Sequence, residues 1–170
     1  VKEIAGQITS RTKLMVLNSP NNPCGSIIER EDIEALADLA KDRDLTVLTD
    51  DIYRRFLYEG EFHSVTSIPG MKERTIILDG FSKTYAMTGW RMGYGVMPKE
   101  LATHVARLMV NSNSCTSAFS QMAGIAALTG PQDASDAMIR EFKRRRDAFH
   151  AGLSRIEGFT CRVPRGAFYL

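Results

Sequence analysis

The chain has 170 residues, of which 44% are hydrophobic and 25% are charged. This balance is typical of a soluble globular protein and excludes an intrinsically disordered chain. Lysine and arginine number 22 and aspartate and glutamate 20, so the net charge is +2. Such a small charge gives no reason to expect a nucleic-acid or membrane partner.

Cysteine usage and the two chain ends bear on the setting of the protein. Cys24, Cys115 and Cys161 are far apart and form no C-x-x-C pair, so neither a disulfide framework nor a zinc site is predicted, and a reducing, cytoplasmic setting is expected. No apolar run approaches the roughly 20 residues of a membrane span. The chain begins at Val1 without a methionine and ends at Leu170 within an apolar run. We therefore expect both ends to be cut from a larger protein.

Short apolar runs rich in leucine and β-branched residues predict the strands. They cover residues 14–17, 45–48 and 75–78, and a fourth run at 92–97 ends before Pro98. Apolar runs that alternate with helices are typical of a parallel sheet with helices on both sides. The sequence therefore predicts an α/β fold with three layers, α/β/α, and a mostly parallel sheet whose strand ends carry the functional groups.

Apolar residues at helical spacing predict four helices. These cover residues 31–43, 100–110, 117–128 and 133–157. The last helix is expected to end at Gly158, because glycine commonly follows the final helical turn.

The first predicted strand is followed by a cluster of turn-forming residues, at 18–25 with the sequence NSPNNPCG. Prolines and a glycine fix the backbone there, so a purely structural turn is one interpretation. A rigid loop at the carboxyl end of a parallel strand is also where α/β proteins place ligands, and an asparagine amide can donate to a cofactor oxygen. The segment by itself leaves both interpretations open.

Acidic residues follow the second predicted strand directly, at Asp50 and Asp51, with Tyr53 shortly after. Acids in such places often cap helices. The functional alternative for Asp50 is a carboxylate that pairs with a buried cation, because an isolated buried carboxylate is costly to desolvate. A cationic partner is then expected at the same edge of the sheet.

The third predicted strand leads into residues 79–94, DGFSKTYAMTGWRMGY. A nucleotide P-loop is disfavoured because Ser82 replaces the glycine that precedes its lysine, and a dinucleotide fingerprint because Pro98 replaces its third glycine. What remains is Lys83 at a strand end and Arg91 further along. An unprotonated lysine amine attacks a carbonyl, and a guanidinium grips a phosphate with two hydrogen bonds. Lys83 can thus hold an aldehyde, and Arg91 can hold a phosphate of the same molecule.

Four segments resemble, in order, the signatures of the class I/II aminotransferases of the aspartate aminotransferase family, which are pyridoxal-phosphate-dependent enzymes of fold type I. The segments are residues 21–25 (NNPCG), 50–53 (DDIY), 82–94 and 164–169 (PRGAFY). The resemblance spans nearly the whole chain. It implies that residues 1–157, including the helix 133–157, are part of the large cofactor-binding domain. Residues 158–170 then begin the small C-terminal domain.

The resemblance implies catalytic roles for three residues in a pyridoxal 5'-phosphate site. Lys83 holds the cofactor as a Schiff base and later moves a proton as a base. Asp50 pairs with the pyridine nitrogen and keeps the ring cationic. Tyr53 hydrogen-bonds the phenolic oxygen of the cofactor.

It also implies that Asn22 binds the same phenolic oxygen, that Arg91 binds the phosphate, and that Ser82 assists there. The chain departs from the family pattern at two positions. Gly80 stands where many members have a serine of the phosphate site, and Cys24 stands where threonine is usual. Neither change removes one of the implied contacts of the other residues.

The activity implied is amino-group transfer between an amino acid and a 2-oxo acid by a homodimer. Two alternatives stay open, a lyase or synthase of the same fold and an aminotransferase-like sensor domain of a transcriptional regulator. The family's glycine/serine phosphate cup, its ring-stacking aromatic residue and its substrate-carboxylate arginine lie outside the chain. We therefore expect the chain alone to be inactive.

Two polar stretches remain. The basic run Lys143 to Arg146 is predicted to be a solvated helix face rather than a nucleic-acid patch. The resemblance implies that residues 111–117, NSNSCTS, form the polar loop that approaches the cofactor of the neighbouring subunit.

Overall fold

A computed structural model describes residues 1–170. The helices are α1 (Lys2–Gln7), α2 (Arg30–Asp42), α3 (Lys99–Ser112), α4 (Ala118–Thr129) and α5 (Asp133–Leu153), and the strands are β1 (Leu14–Asn18), β2 (Thr46–Asp50), β3 (Thr75–Gly80) and β4 (Gly93–Val96). The predicted α/β fold is confirmed, and each predicted element is present. The additional helix, α1, has six residues and buries none of them, which is why it leaves no apolar pattern in the sequence.

One helix boundary was predicted wrongly. Helix α5 ends at Leu153 rather than at residue 157. Beyond it the backbone N–H groups of Arg155 and Ile156 bond carbonyls three residues back instead of four, and such bonds tighten and end a helix. Gly158 has a φ of +77°, so the glycine turns the chain away after this tightened segment rather than directly after the helix.

The four strands form one sheet in the order β1-β2-β3-β4. β1, β2 and β3 are parallel, and β4 runs antiparallel to β3. The predicted mostly parallel sheet is therefore confirmed. In this register Asn18, the last residue of β1, lies beside Asp50, the last residue of β2, and Asp50 lies beside Leu78.

Helix α2 packs its apolar stripe against one face of the sheet. The core formed there consists of ten buried residues, Met15, Leu17, Ile33, Leu36, Ala37, Ala40, Leu45, Val47, Val65 and Met71. Burial of each larger side chain contributes about 1.5–3 kcal/mol. Leu14 and Val16 alternate with the buried residues of β1 and point to the opposite face, where they are exposed.

Two smaller clusters attach the later helices. Helix α4 packs near Phe81 and Met92, and α5 packs near Tyr53 and Phe56. No helix has the length and hydrophobicity that a membrane crossing requires.

The basic run on α5 is not entirely the solvated face that was predicted. Arg146 is 5% exposed, because its guanidinium donates to the Pro164 carbonyl over 2.7 Å and pairs with Glu59 over 2.9 Å. It also lies 4.9 Å from the centroid of the Tyr58 ring. Arg146 thus ties α5 to the C-terminal segment and to the loop that follows β2.

Replacing Leu36 by alanine tests the α2–sheet core. Leu36 is 3% exposed, so the variant loses buried apolar contacts and leaves a cavity, and we expect the full-length protein to lose about 2–5 kcal/mol of unfolding free energy. Asp38→Ala on the same helix is the control, because its exposed ion pair with Lys41 contributes about 1 kcal/mol or less. Urea unfolding measures both. Equal effects of the two substitutions would contradict the assigned core.

Candidate functional site

The carboxyl ends of β1, β2 and β3 bring the candidate residues to one edge of the sheet. Asn18 and Asp50 are register partners, and the Asp51 amide donates to the Leu78 carbonyl over 2.9 Å. Neighbouring strands lie about 4.8 Å apart. The loop after β1, the acids after β2 and the Lys83 turn after β3 therefore begin side by side.

Asn18 organises the loop that follows β1. Its amide nitrogen donates to the Asp50 carbonyl over 3.1 Å, and its side-chain oxygen accepts from the Asn21 side chain over 3.2 Å and from the Asn22 backbone over 2.8 Å. Asn21 in turn accepts from the Cys24 amide over 3.2 Å. Asn18 and Asn21 are therefore structural. The Asn22 side chain is exposed and makes no hydrogen bond within the chain.

The C-terminal segment closes over this loop at two glycines. The amides of Arg165 and Gly166 both donate to the Gly25 carbonyl over 2.9 Å. Gly25 has a φ of +64°, and a Cβ there would lie 2.4 Å from the Pro164 Cβ. A Cβ on Gly166 would lie 2.6 Å from the Pro20 Cβ. Only glycine allows the two segments to approach so closely.

Asp50 keeps most of its carboxylate free. One oxygen accepts from the Ile52 amide over 3.2 Å. The side chain is half-buried, yet none of the ion pairs of the chain includes it, since the nearby Arg54 pairs with Asp79 over 2.8 Å instead. The chain does not supply the cationic partner that the sequence led us to expect.

Asp51, the residue after Asp50, is a second acidic group, and the sequence patterns gave it no role of its own. Asp51 is 3% exposed, and its carboxylate accepts from the Thr49 hydroxyl over 2.6 Å. Burial, reinforced by the charge of Asp79, raises the pKa of Asp51 to about 6. Asp79 also accepts from the Tyr94 hydroxyl over 2.9 Å.

Tyr53 lies in an aromatic cluster beside Lys83. Its ring is 2% exposed and meets Phe168 and Tyr169 edge to face, at centroid distances of 5.2 and 5.8 Å. Its hydroxyl lies 2.5 Å from the Tyr169 hydroxyl. Burial, followed by this hydrogen bond and the charge of Asp50, raises the pKa of Tyr53.

The Lys83 amino group lies 5.5 Å from the centroid of the Phe168 ring and 5.8 Å from that of Tyr53. Lys83 is half-buried. No acid lies within ion-pair distance of it: the Lys–acid pairs of the chain are Lys41–Asp38 and Lys143–Asp147. Its amine thus lies beside two aromatic rings and forms neither an ion pair nor a hydrogen bond within the chain.

Thr88 links the Lys83 turn to Arg91. The Thr88 hydroxyl donates to the Ser82 carbonyl over 2.9 Å, and its own carbonyl accepts from the Arg91 guanidinium over 2.9 Å. Arg91 has a left-handed backbone, with φ of +52°, and an exposed side chain. Arg91 lines a cleft of about 900 Å³ together with the polar loop 112–117. Lys83 and Asp50 do not line that cleft.

Hydrogen bonds, one cation–aromatic contact and the charge of Asp50 relate the predicted residues to one another. Asn22 is joined to Asp50 through Asn18, the charge of Asp50 acts on Tyr53, and Lys83 lies beside Tyr53. Ser82 and Arg91 are joined through Thr88 on the far side of Lys83.

Four contributing residues, Asn18, Thr88, Phe168 and Tyr169, were not given roles from the sequence. Thr88, Phe168 and Tyr169 lie inside the recognised segments, and Asn18 lies in the turn-forming cluster 18–25. The contacts that give them their roles depend on folding, however, because Tyr169 is 116 positions from Tyr53.

Known proteins of one family match the chain along nearly its whole length. Residues 1–170 match the family model described as "Aminotransferase class I and II". The aspartate aminotransferase of Musicola paradisiaca (strain Ech703) is 40% identical over 170 residues, which are 99% of the chain and 42% of that relative. The chain therefore spans less than half the length of the curated relatives it matches.

Solved structures show the same fold. The aspartate aminotransferase from Rhizobium meliloti superposes with a TM-score of 0.93 at 40% identity, over 98% of this chain and 42% of that one. The aromatic aminotransferase from Pyrococcus horikoshii OT3 gives a TM-score of 0.93 at 34% identity, over 98% and 45%.

The raised pKa of Asp51 predicts a pH-dependent stability. A carboxyl whose pKa is higher in the folded state stabilises the fold when protonated, so its contribution is complete below the ordinary pKa of 3.8 and is lost as the pH rises through about 6. The loss amounts to at most about 3 kcal/mol. In Asp51→Asn the unfolding free energy of the full-length protein should fall less between pH 4 and 7, whereas the exposed Asp38→Asn should follow the wild type. An unchanged slope in Asp51→Asn would refute the prediction.

Proposed function

Because the chain belongs to the aminotransferase class I and II family, we propose that it forms the cofactor-binding part of an aminotransferase that transfers an amino group between an amino acid and a 2-oxo acid. The cofactor of this family is pyridoxal 5'-phosphate. Relatives named for aspartate and for aromatic amino acids match at similar identity. The substrate proposed is therefore an acidic or aromatic amino acid.

The observation that carries the proposal is a difference in hydrogen bonding between neighbouring polar residues. Some use their side chains to hold the loop, whereas others have side-chain atoms without a partner in the chain. The side chains of Asn18 and Asn21 form hydrogen bonds that hold the loop. Asn22, Asp50 and Lys83 keep functional atoms free at the same edge of the sheet. The free groups of Asp50 and Lys83 are half-buried, and such groups are costly unless a ligand satisfies them. An amide, a carboxylate without a cation, and an amine without an acid fit a cofactor that carries a phenolic oxygen, a basic ring nitrogen and an aldehyde.

When bound, pyridoxal 5'-phosphate supplies an electron sink for the negative charge that develops at the substrate Cα. Lys83 is proposed to be the residue that would hold the cofactor, through Nζ at its aldehyde carbon with release of water. An amine at this position would also be able to take a proton from the substrate Cα and to return it. The aromatic rings of Tyr53 and Phe168 beside Nζ limit the access of water to that amine.

Asp50 is proposed to hold a proton on the ring nitrogen, because a carboxylate stabilises a neighbouring cation. Asp50 is the last residue of β2, so the sheet holds its backbone and the carboxylate needs little reorganisation when the cofactor binds. Tyr53 and Asn22 are proposed to donate to the phenolic oxygen. The raised pKa of Tyr53 keeps its hydroxyl protonated and therefore able to donate.

Arg91 is proposed to bind the phosphate, with Ser82 as a second donor. Only one guanidinium nitrogen of Arg91 is engaged, by the Thr88 carbonyl, which leaves donors for a bidentate contact. The Ser82 hydroxyl makes no hydrogen bond within the chain, whereas its carbonyl is held by Thr88.

We further propose that the full-length protein is a cytoplasmic homodimer, with residues 1–157 in the large domain and 158–170 at the start of the small one. Phe119 and Met122 expose apolar surface on α4, which suits burial against a second subunit. The polar loop 112–117 beside Arg91 is proposed to face the partner subunit. Free, exposed Cys24 and Cys115 fit a reducing compartment.

A single-turnover experiment tests the proposed activity. The full-length protein, loaded with pyridoxal 5'-phosphate, is incubated with L-aspartate or L-phenylalanine in the absence of a 2-oxo acid. We expect one equivalent of pyridoxamine phosphate and one of the 2-oxo acid. Lys83→Ala should slow this reaction by roughly 10²–10⁴-fold or more, since it loses the proposed base.

The control is Lys72→Ala, which removes an exposed lysine far from the strand ends that carry the site and should leave the rate unchanged. Release of ammonia with the cofactor still an aldehyde would identify a lyase instead of a transaminase. A wild-type rate in Lys83→Ala would refute the role of Lys83.

A further inference from the structure

We propose that Tyr169 is a positioning residue, whose hydroxyl donates to the Tyr53 hydroxyl and so directs the Tyr53 proton toward the cofactor's phenolic oxygen. The inference rests on the proposed function, because it concerns a further residue of the same site. It assigns a role to the last polar residue of the PRGAFY segment, which is far from Tyr53 in sequence and in contact with it in the fold.

The geometry of the pair supports a hydrogen bond between the two hydroxyls. Their oxygens lie 2.5 Å apart, and the rings meet at 77°. Neither hydroxyl has another hydrogen-bond partner within the chain. Tyr53 is buried and Tyr169 is half-buried, so the contact is largely shielded from water.

The number of protons decides the direction of this bond once a ligand is present. A tyrosine hydroxyl has one proton to donate and lone pairs that accept. If Tyr53 donates to Tyr169, it has no proton left for an anionic oxygen. If Tyr169 donates to Tyr53, the Tyr53 proton is free for that oxygen, and each bond polarises the next and strengthens it. An acceptor at the cofactor position therefore selects Tyr169 as the first donor.

Tyr169 is held firmly enough to act in this way. The preceding Ala167 donates its amide to the Phe56 carbonyl over 2.8 Å, and Phe168 stacks on Phe142 with ring centroids 5.3 Å apart and an interplanar angle of 24°. Gly166 lies tightly against Pro20. The segment that carries Tyr169 is thus held against the loop that carries Asn22 as well as against Tyr53.

Other groups around Tyr53 do not replace this donor. The charged groups that face it are Asp50, whose carboxylate only accepts hydrogen bonds, and Lys83, whose Nζ is 5.8 Å from the ring centroid. Phe56 and Phe168 complete the surroundings and have no polar atom on their side chains. Tyr169 is the side chain placed to donate to the Tyr53 oxygen.

The test is a spectroscopic pH titration of the full-length, cofactor-loaded protein. The visible absorption of the Lys83–cofactor linkage changes as its nitrogen loses a proton. In Tyr169→Phe the phenolic oxygen of the cofactor is less well stabilised and therefore carries more negative charge. That charge holds the proton on the nitrogen of the linkage more strongly. We expect the pH midpoint to rise by roughly 0.2–0.7 unit, and by more in Tyr53→Phe.

Two further variants separate positioning from a merely structural effect. Tyr58→Phe removes another buried hydroxyl, one that has no hydrogen-bond partner, and should leave the midpoint unchanged. In Tyr53→Phe/Tyr169→Phe the midpoint should equal that of Tyr53→Phe, because Tyr169 acts only through Tyr53.

An unchanged midpoint in Tyr169→Phe would overturn the proposal, and so would a shift that adds in full to that of Tyr53→Phe. Absence of any visible band from the loaded wild type would instead overturn the proposed function itself.

Discussion

The parallel pairing of three strands is the constraint on which the site depends. Because β1, β2 and β3 end in register, Asn18 lies beside Asp50 and Asp50 beside Leu78. A change of one residue in the register of β2 would turn Asp50 to the other face of the sheet. The core under α2 opposes such a change, since Val47 and Leu45 would lose their buried positions. Packing on one face of the sheet therefore fixes the chemistry at its edge.

Around this edge the polar residues divide into those that hold the backbone and those that remain free. Asn18 binds its loop to the end of β2, and Thr88 closes the turn that follows β3. Gly25 and Gly166 let the C-terminal segment pack on the first loop. Asn22, Asp50 and Lys83 extend from the backbone that is held in this way, and one Asp50 oxygen accepts from the Ile52 amide. Such preorganisation is what catalysis by electrostatic stabilisation requires.

The sequence predicted the strands and the main helices, because these follow from local apolar periodicity. Short motifs led to the proposed roles of Lys83 and Arg91, which stay predictions. The sequence placed the end of α5 too late, since the tightening after Leu153 leaves no mark in the apolar spacing. It also missed the burial of Arg146, whose partners Glu59 and Pro164 are distant in sequence. Long-range pairs, such as Tyr53 with Tyr169, depend on how the loops close and are visible only in the folded chain.

Asp50 is the central residue of the proposed site, a half-buried carboxylate for which the chain supplies no cation. The most direct measurement is the ¹⁵N NMR shift of the ring nitrogen in full-length protein loaded with ¹⁵N-labelled pyridoxal 5'-phosphate. At neutral pH the wild type should show a protonated ring nitrogen, and Asp50→Asn an unprotonated one, since the amide carries no charge to hold the proton. The same shift in both proteins would contradict the account.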